Sequence, residues 1–373
     1  MEIASEDNFR LNVLLANKPK AIRIDESKLV VYGLSDKGEA KVVLKPTGRP
    51  EQYLRAVKEL ISGHILGSPG GYPVYLKRWT RMGQMRDESL EQLLMLGEPE
   101  AVVAAVGSPG LTEELARRAW WAMEDADNAR RMLQNPTIVA SRLGPELAAY
   151  VLDYLPFETE TDSQTSSVRL ILKPGLLPPD KVADLWAKSG RKQAYLVGFL
   201  QALPDALPEP LPPRADAESL VAALEPLRAA GNPVAQLLVR VVSGQGQRYL
   251  KTVATVLDKP PNQDVVTAIF DCLREYFGDL RADGDPKMSL DEAQEEAMMF
   301  VAASAPAPVR EVLSACPQVR DDIVAMRILS AAGYGMIRPV LSDPTTLGSL
   351  MRRKLKPVLD SLLSQIERLR GSG

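Results

Sequence analysis

The sequence predicts a mainly α protein: a small α+β N-terminal unit built on a three-stranded antiparallel meander, followed by an irregular α-solenoid or orthogonal helix array. Two observations carry that expectation. Short apolar segments with helical spacing recur along most of the chain and are cut at close intervals by Gly, Pro and Ser-Pro. Apolar residues make up 45% of the chain and aromatics only 5%, which suits Leu, Ala and Val packing between helices better than a β-sandwich. With 373 residues the chain exceeds the usual domain of roughly 100–200, so several units are expected. These are residues 1–76 (α+β), 77–203 (first helical array), 204–213 (a Pro-rich connector) and 214–373 (second helical array).

The elements follow in order. Residues 8–16 read as a helix with Phe9, Leu11, Val13, Leu14 and Leu15 on a broad apolar face, ended by Lys18-Pro19. Residues 21–24, 29–32 and 40–44 are β-branched or alternating runs separated by turn-forming clusters, hence the meander. Residues 50–66 supply a helix to cover its apolar face. Residues 67–73 are too rich in Gly and Pro for regular structure.

From Asp87 the rhythm becomes purely helical. Ser89 with Gln92 reads as a capping box, Gly97 as a C-terminal glycine and Pro99 as a first-turn residue of the next helix. Helices over 111–123, 126–133, 136–143 and 145–154 are each a few turns long, too short to stand alone, so they must stack on neighbours. Residues 157–167, with Glu158, Glu160, Asp162 and several Ser and Thr, read as a polar, mobile loop. Helices resume near Pro179 and Tyr195, and residues 204–213 form a semi-rigid extended connector.

Beyond it, helices are expected over 216–230, 233–242, 247–257 and 263–277, with an exit loop at 278–286. A Ser289/Glu292 capping box then precedes 293–303, and further helices cover 310–315, 319–332 and 346–370, the last kinked or divided at Pro357. Capping signals fall at uneven intervals, so no strict repeat is expected.

Composition narrows the function. A net charge of −3 gives no global cationic field for phosphate backbones, so nucleic-acid binding would have to be local. Cys272 and Cys316, the two cysteines, together with His64, the single histidine, make neither a disulfide framework nor a zinc set. No catalytic, metal or cofactor residues are expected. The acidic N-terminal segment lacks the charge and apolar core of a secretory signal, and no window approaches the roughly 20 apolar residues of a membrane span. A reducing, cytoplasmic setting without membrane insertion is the expectation.

Several residues stand out. Lys77, Arg78, Trp79, Arg81 and Arg86 surround an aromatic with cations beside a Gly-rich loop, which suits an anion or a partner's acidic strip; the plainer reading is Trp79 as a packing plug with solvated neighbours. Residues 67–71 lack the Lys-Ser/Thr of a phosphate loop. His64 reads as a packed or capping residue rather than a base. Trp120 and Trp121 diverge by about 100° on one helix, so one packs and the other flanks; packing of both is the plainer reading, and an exposed indole would mark an interaction site. Arg352, Arg353, Lys354 and Lys356 form a second basic patch opposite Leu350, Met351, Leu355, Val358, Leu359, Leu362, Leu363 and Ile366. Cys272 and Cys316 read as small buried hydrophobes.

The stretch beginning Tyr-Pro-Val-Tyr-Leu-Lys-Arg-Trp-Thr-Arg-Met-Gly at Tyr72, running through Leu-Met-Leu-Gly-Glu-Pro-Glu-Ala-Val-Val-Ala to Ala-Arg-Arg-Ala-Trp-Trp-Ala-Met, resembles the DsrS family of sulfur-metabolism proteins. The similarity includes residues 21–27 and 197–208 and covers the first half of the chain better than the second. DsrS proteins are soluble and encoded beside dissimilatory sulfite reductase genes in sulfur-oxidising bacteria. The resemblance implies a cytoplasmic accessory with no established reaction and no catalytic residues to carry over. The function expected is therefore a non-catalytic accessory or regulatory protein acting on protein partners of the sulfur-oxidation system. RNA contact through the local basic patches is the alternative, and a thiol-based sulfur carrier or enzyme the second alternative.

Overall fold

The structure, a computed structural model, describes residues 2–68, 70–71, 87–281, 287–338 and 348–371. Among them are twenty α-helices and one three-stranded antiparallel sheet, the mainly α class with a small α+β start. The strands β1 (Ala21–Asp25), β2 (Val30–Ser35) and β3 (Gly38–Val43) run in the order β1-β2-β3. Ile22, Val31 and Val42 point to one side of the pleat and meet Leu11, Leu14 and Leu15 of α1 (Ser5–Ala16) and Tyr53, Val57 and Ile61 of α2 (Pro50–Leu66). Gly33 lets α1 come close, because a Cβ there would lie 2.9 Å from a Leu14 methyl. One polar lock sits inside this core. The buried Asp7 carboxylate accepts from the Tyr53 hydroxyl at 2.6 Å and the Lys45 amide at 2.7 Å.

The helices α3 (Asp87–Leu94), α4 (Pro99–Val106), α5 (Glu113–Ala122), α6 (Ala126–Met132), α7 (Pro136–Val139) and α8 (Leu143–Tyr154) follow. Ser89 is the third residue of α3 and not its cap, contrary to the expected capping box. Gly97 ends that turn at φ +69°, where a Cβ would lie 2.9 Å from Ile24. Side-chain caps mark the other boundaries: Thr112, Asp125 and Asn135 accept from the first amides of α5, α6 and α7.

The next helices are α9 (Thr161–Ile171), α10 (Pro179–Ser189) and α11 (Gln193–Ala202). The expected polar loop at 157–167 is thus largely helix. Its two buried hydroxyls are satisfied inside: Ser167 donates to both Glu158 carboxylate oxygens, at 2.8 and 3.0 Å, and Thr165 donates to the Ala194 carbonyl at 3.2 Å. Gly198 makes the fit possible, since a Cβ there would lie 2.6 Å from that of Val168. Residues 194–200 of α11 are all buried, as an apolar helix enclosed by others must be.

Residues 204–213, expected as a semi-rigid extended connector, are fastened along the helices. The Leu211 amide donates to the Gly244 carbonyl (3.2 Å) and the Arg214 amide to that of Val242 (2.9 Å), while Leu207 is buried. Arg240 and Arg248 clamp Asp205 and Glu209 from the side. Proline removes donors but keeps carbonyls and an extended shape, which lets the segment lie along helices that side chains then hold.

The remaining helices are α12 (Ala217–Ala229), α13 (Pro233–Val242), α14 (Gly244–Asp258), α15 (Gln263–Tyr276), α16 (Leu290–Phe300), α17 (Ala307–Ala315), α18 (Arg320–Leu329), α19 (Tyr334–Ile337) and α20 (Gly348–Leu369). Arg240 of α13, Tyr276 of α15 and Tyr249 of α14 stack in that order, with the guanidinium 3.7 Å from one ring and the rings 3.9 Å apart. Ser289 and Glu292 form the expected capping box. Pro357 lies within α20 without dividing it.

The chain forms two compact units. One comprises Met1–Pro156 with Pro174–Leu177, the other Phe157–Lys173 with Pro178–Gly373. These boundaries differ from the expected ones at 76/77, 203/204 and 213/214. The helices on either side of residues 204–213 pack together in one unit, as α11 does against α14 and α15.

Candidate functional site

The two indoles on α5 serve different neighbours. Trp120 is 5% exposed, donates to Glu146 at 3.0 Å and meets Tyr150 edge-on at 4.8 Å. Trp121, half-buried, turns toward the sheet and donates to Glu39 of β3 at 2.9 Å. Arg23 lies between Tyr32 and Trp121, its guanidinium 4.7 Å from the first ring and 5.0 Å from the second. Strand register places Arg23 directly opposite Tyr32, and its Nη1 donates to the Trp121 carbonyl at 3.3 Å. The arrangement fastens α5 to the sheet by a cation between aromatic faces, worth about 0.5–1 kcal/mol per contact at a partly exposed site. Neither indole is an exposed anchor.

The first basic cluster, Lys77, Arg78, Trp79, Arg81 and Arg86, lies outside the described residues. The second lies where the helical period puts it. Arg353 and Lys356 are exposed and Arg352 and Lys354 half-buried on the outer side of α20, while Met351, Leu355, Leu362 and Ile366 are buried on the inner side. Lys356 pairs with Asp360 at 2.9 Å. Leu350, expected on the apolar row, is instead 38% exposed. His64 is exposed in the last turn of α2, so of the two expected roles, packing or capping, it does not fill the first.

Both thiols are buried. Burial pushes the Cys272 thiol up to about 12, with the nearby Glu275 and Asp271 carboxylates adding to the effect, and raises Cys316 as well. The nucleophilic thiolate is therefore scarce near neutral pH.

Buried and half-buried charges are spent on joining helices. Arg118 of α5 holds Glu114 at 3.0 Å and Glu91 of α3 at 3.3 Å. Arg281, in the turn after α15, and Arg327 of α18 converge on Glu296 of α16. Burial works to raise the Glu296 carboxyl, but hydrogen bonds from Arg327 and Arg281 outweigh it and hold the group below its ordinary range. Arg23, Glu39 and Glu296 escaped the sequence reading, because their partners lie far away along the chain.

A cavity of about 490 Å³ beside α2 is lined by carboxylates interleaved with Arg55 and Lys58, the latter paired with Glu26 at 2.7 Å. Among the described residues, no group of three or more His, Cys, Asp or Glu is placed to hold a metal ion, and no helix is long and apolar enough to cross a membrane. No protein-family model, curated protein or solved structure matches the chain.

Proposed function

We propose that this chain is a non-catalytic accessory or regulatory protein of dissimilatory sulfur metabolism, working in the cytoplasm by holding a protein partner. The observation that carries the reading is the outer side of α1, where Phe9 is 70% exposed and Val13, four residues on, is 47% exposed, while Leu11, Leu14 and Leu15 fill the core. Residues at this spacing share a helix face, and an aromatic beside a β-branched residue is the kind of anchor that protein recognition uses. The way charges are spent supports the same reading, since Arg118, Arg281, Arg327 and Glu296 join helices to one another. The sulfur setting rests on the resemblance of residues 72–123, 21–27 and 197–208 to DsrS.

The test is affinity capture from a native extract of a sulfur-oxidising cell, with wild type beside a Phe9→Asp/Val13→Asp double variant whose helicity is checked by circular dichroism. Both positions are exposed, so the fold is expected to survive. Wild type is expected to enrich proteins of the sulfite reductase system, and the variant to lose about tenfold or more of that enrichment. Equal enrichment by the variant, or no specific protein on wild type, contradicts the reading. Capture of RNA lost on charge reversal at Arg352 and Arg353 would favour the RNA alternative instead.

A further inference from the structure

A second feature uses none of the residues of that reading. In the unit formed by Phe157–Lys173 and Pro178–Gly373, a cavity of about 670 Å³ opens between the 211–216 segment, α14, the start of α18 and the end of α20. Its volume lies within the range of small-molecule pockets. Arg214 forms the floor with its side chain 8% exposed. Its Nε donates to Asp216 Oδ1 at 2.7 Å, its Nη2 to Asp216 Oδ2 at 2.9 Å and to Asp322 Oδ2 at 2.8 Å, and its Nη1 to the Leu369 carbonyl at 3.4 Å. Both carboxylates of the cavity are thus turned onto one guanidinium. Gly371, in the left-handed region at φ +68°, lets the turn after α20 lie close to Arg214, since even a Cβ there would lie 3.2 Å from its Cγ.

Two cations remain on the wall. Lys251 projects from α14, and Arg370 follows the last turn of α20. Neither has an ion-pair partner among the described residues, and the Arg370 Nε–H is buried without an acceptor. The cavity therefore carries Arg214, Lys251 and Arg370 against Asp216 and Asp322, an excess of positive charge on the two groups that are not already engaged. A tetrahedral oxyanion in the cavity offers the counter-charge that the Lys251 ammonium and the Arg370 guanidinium both lack.

We propose that this cavity binds a small molecule through a phosphate or sulfate group held by Lys251 and Arg370, with Arg214 as the fixed floor. The test is isothermal titration calorimetry of the full chain with inorganic phosphate and with sulfate, at an ionic strength held constant with chloride. Wild type is compared with Lys251→Gln, Arg370→Gln, the double variant and a control, Lys188→Gln, at an exposed position of α10. Saturable binding of one equivalent of either anion is expected, weakened about tenfold by each single change, lost in the double variant and unchanged in the control. Circular dichroism confirms that the variants are folded. An anion response no greater than that of chloride, or equal affinity in the double variant, overturns the proposal. Because capture through Phe9 and Val13 uses none of these side chains, the two readings fail separately.

Discussion

The sheet core and the junction of α9 with α11 are both tightly packed, but by opposite means. Beneath the sheet, Leu11, Leu14, Ile22, Val31 and Val57 exclude water, with Asp7 and Tyr53 as the one buried polar pair in the cluster. At the other junction, a helix rich in Ser and Thr lies against Gly198, with Ser167 and Thr165 turned inward onto Glu158 and the Ala194 carbonyl. Apolar area drives the first. Close backbone approach and the inward hydrogen bonds of Thr165 and Ser167 permit the second, where stripping one of those groups or adding a carbon is costly.

That contrast can be broken from either side. Leu11→Ala, at a fully buried position, is expected to lower unfolding free energy by about 2–5 kcal/mol in denaturant titration, the largest effect of the set. Gly198→Ala places a Cβ 2.6 Å from that of Val168 and is expected to cost about 1–3 kcal/mol, read by the same titration. A cost within error would show that α9 and α11 are not in close contact. Tyr53→Phe keeps the ring but strips the buried Asp7 carboxylate of a donor, with an expected loss of about 1–3 kcal/mol.

The smallest expected effect is a pH dependence. The Glu296 carboxyl is held below its ordinary range in the folded chain by the hydrogen bonds of Arg327 and Arg281, which outweigh burial. Its contribution is therefore fully present above the ordinary pKa of about 4.3 and is lost as pH falls through the lower folded value. Urea midpoints of wild type and Glu296→Gln should differ most near neutral pH and converge in acid. A gap that stays constant from neutral pH to below about 3 would show that the carboxylate's charge is not what holds α16 to α18.

Much of this architecture was legible in the sequence. Pro50 and Pro233 announce the starts of α2 and α13, and the alternation of apolar and polar residues placed all three strands. The basic row of α20 was legible too, because a helical period separates Arg353 from Leu355 without reference to any other element. What was hidden depends on residues distant in the chain. α9 looks like a loop until Glu158, Ala194 and Gly198 are brought to it. Residues 204–213 read as an extended connector between two groups until Gly244, Arg240 and Arg248 bind them into one. What Trp121 packs against could not be read from its own helix, because Arg23 lies 98 residues earlier. Local pattern reports propensity, whereas these segments take their structure from tertiary partners.

Order in this chain comes from brief helices lying against one another, and α9 tests that most directly. Native-state hydrogen exchange on the intact protein should show strong protection of the amides from Thr165 to Leu170, reduced selectively by Gly198→Ala. Exchange of those amides at the rate of an open chain in the wild-type protein would contradict it.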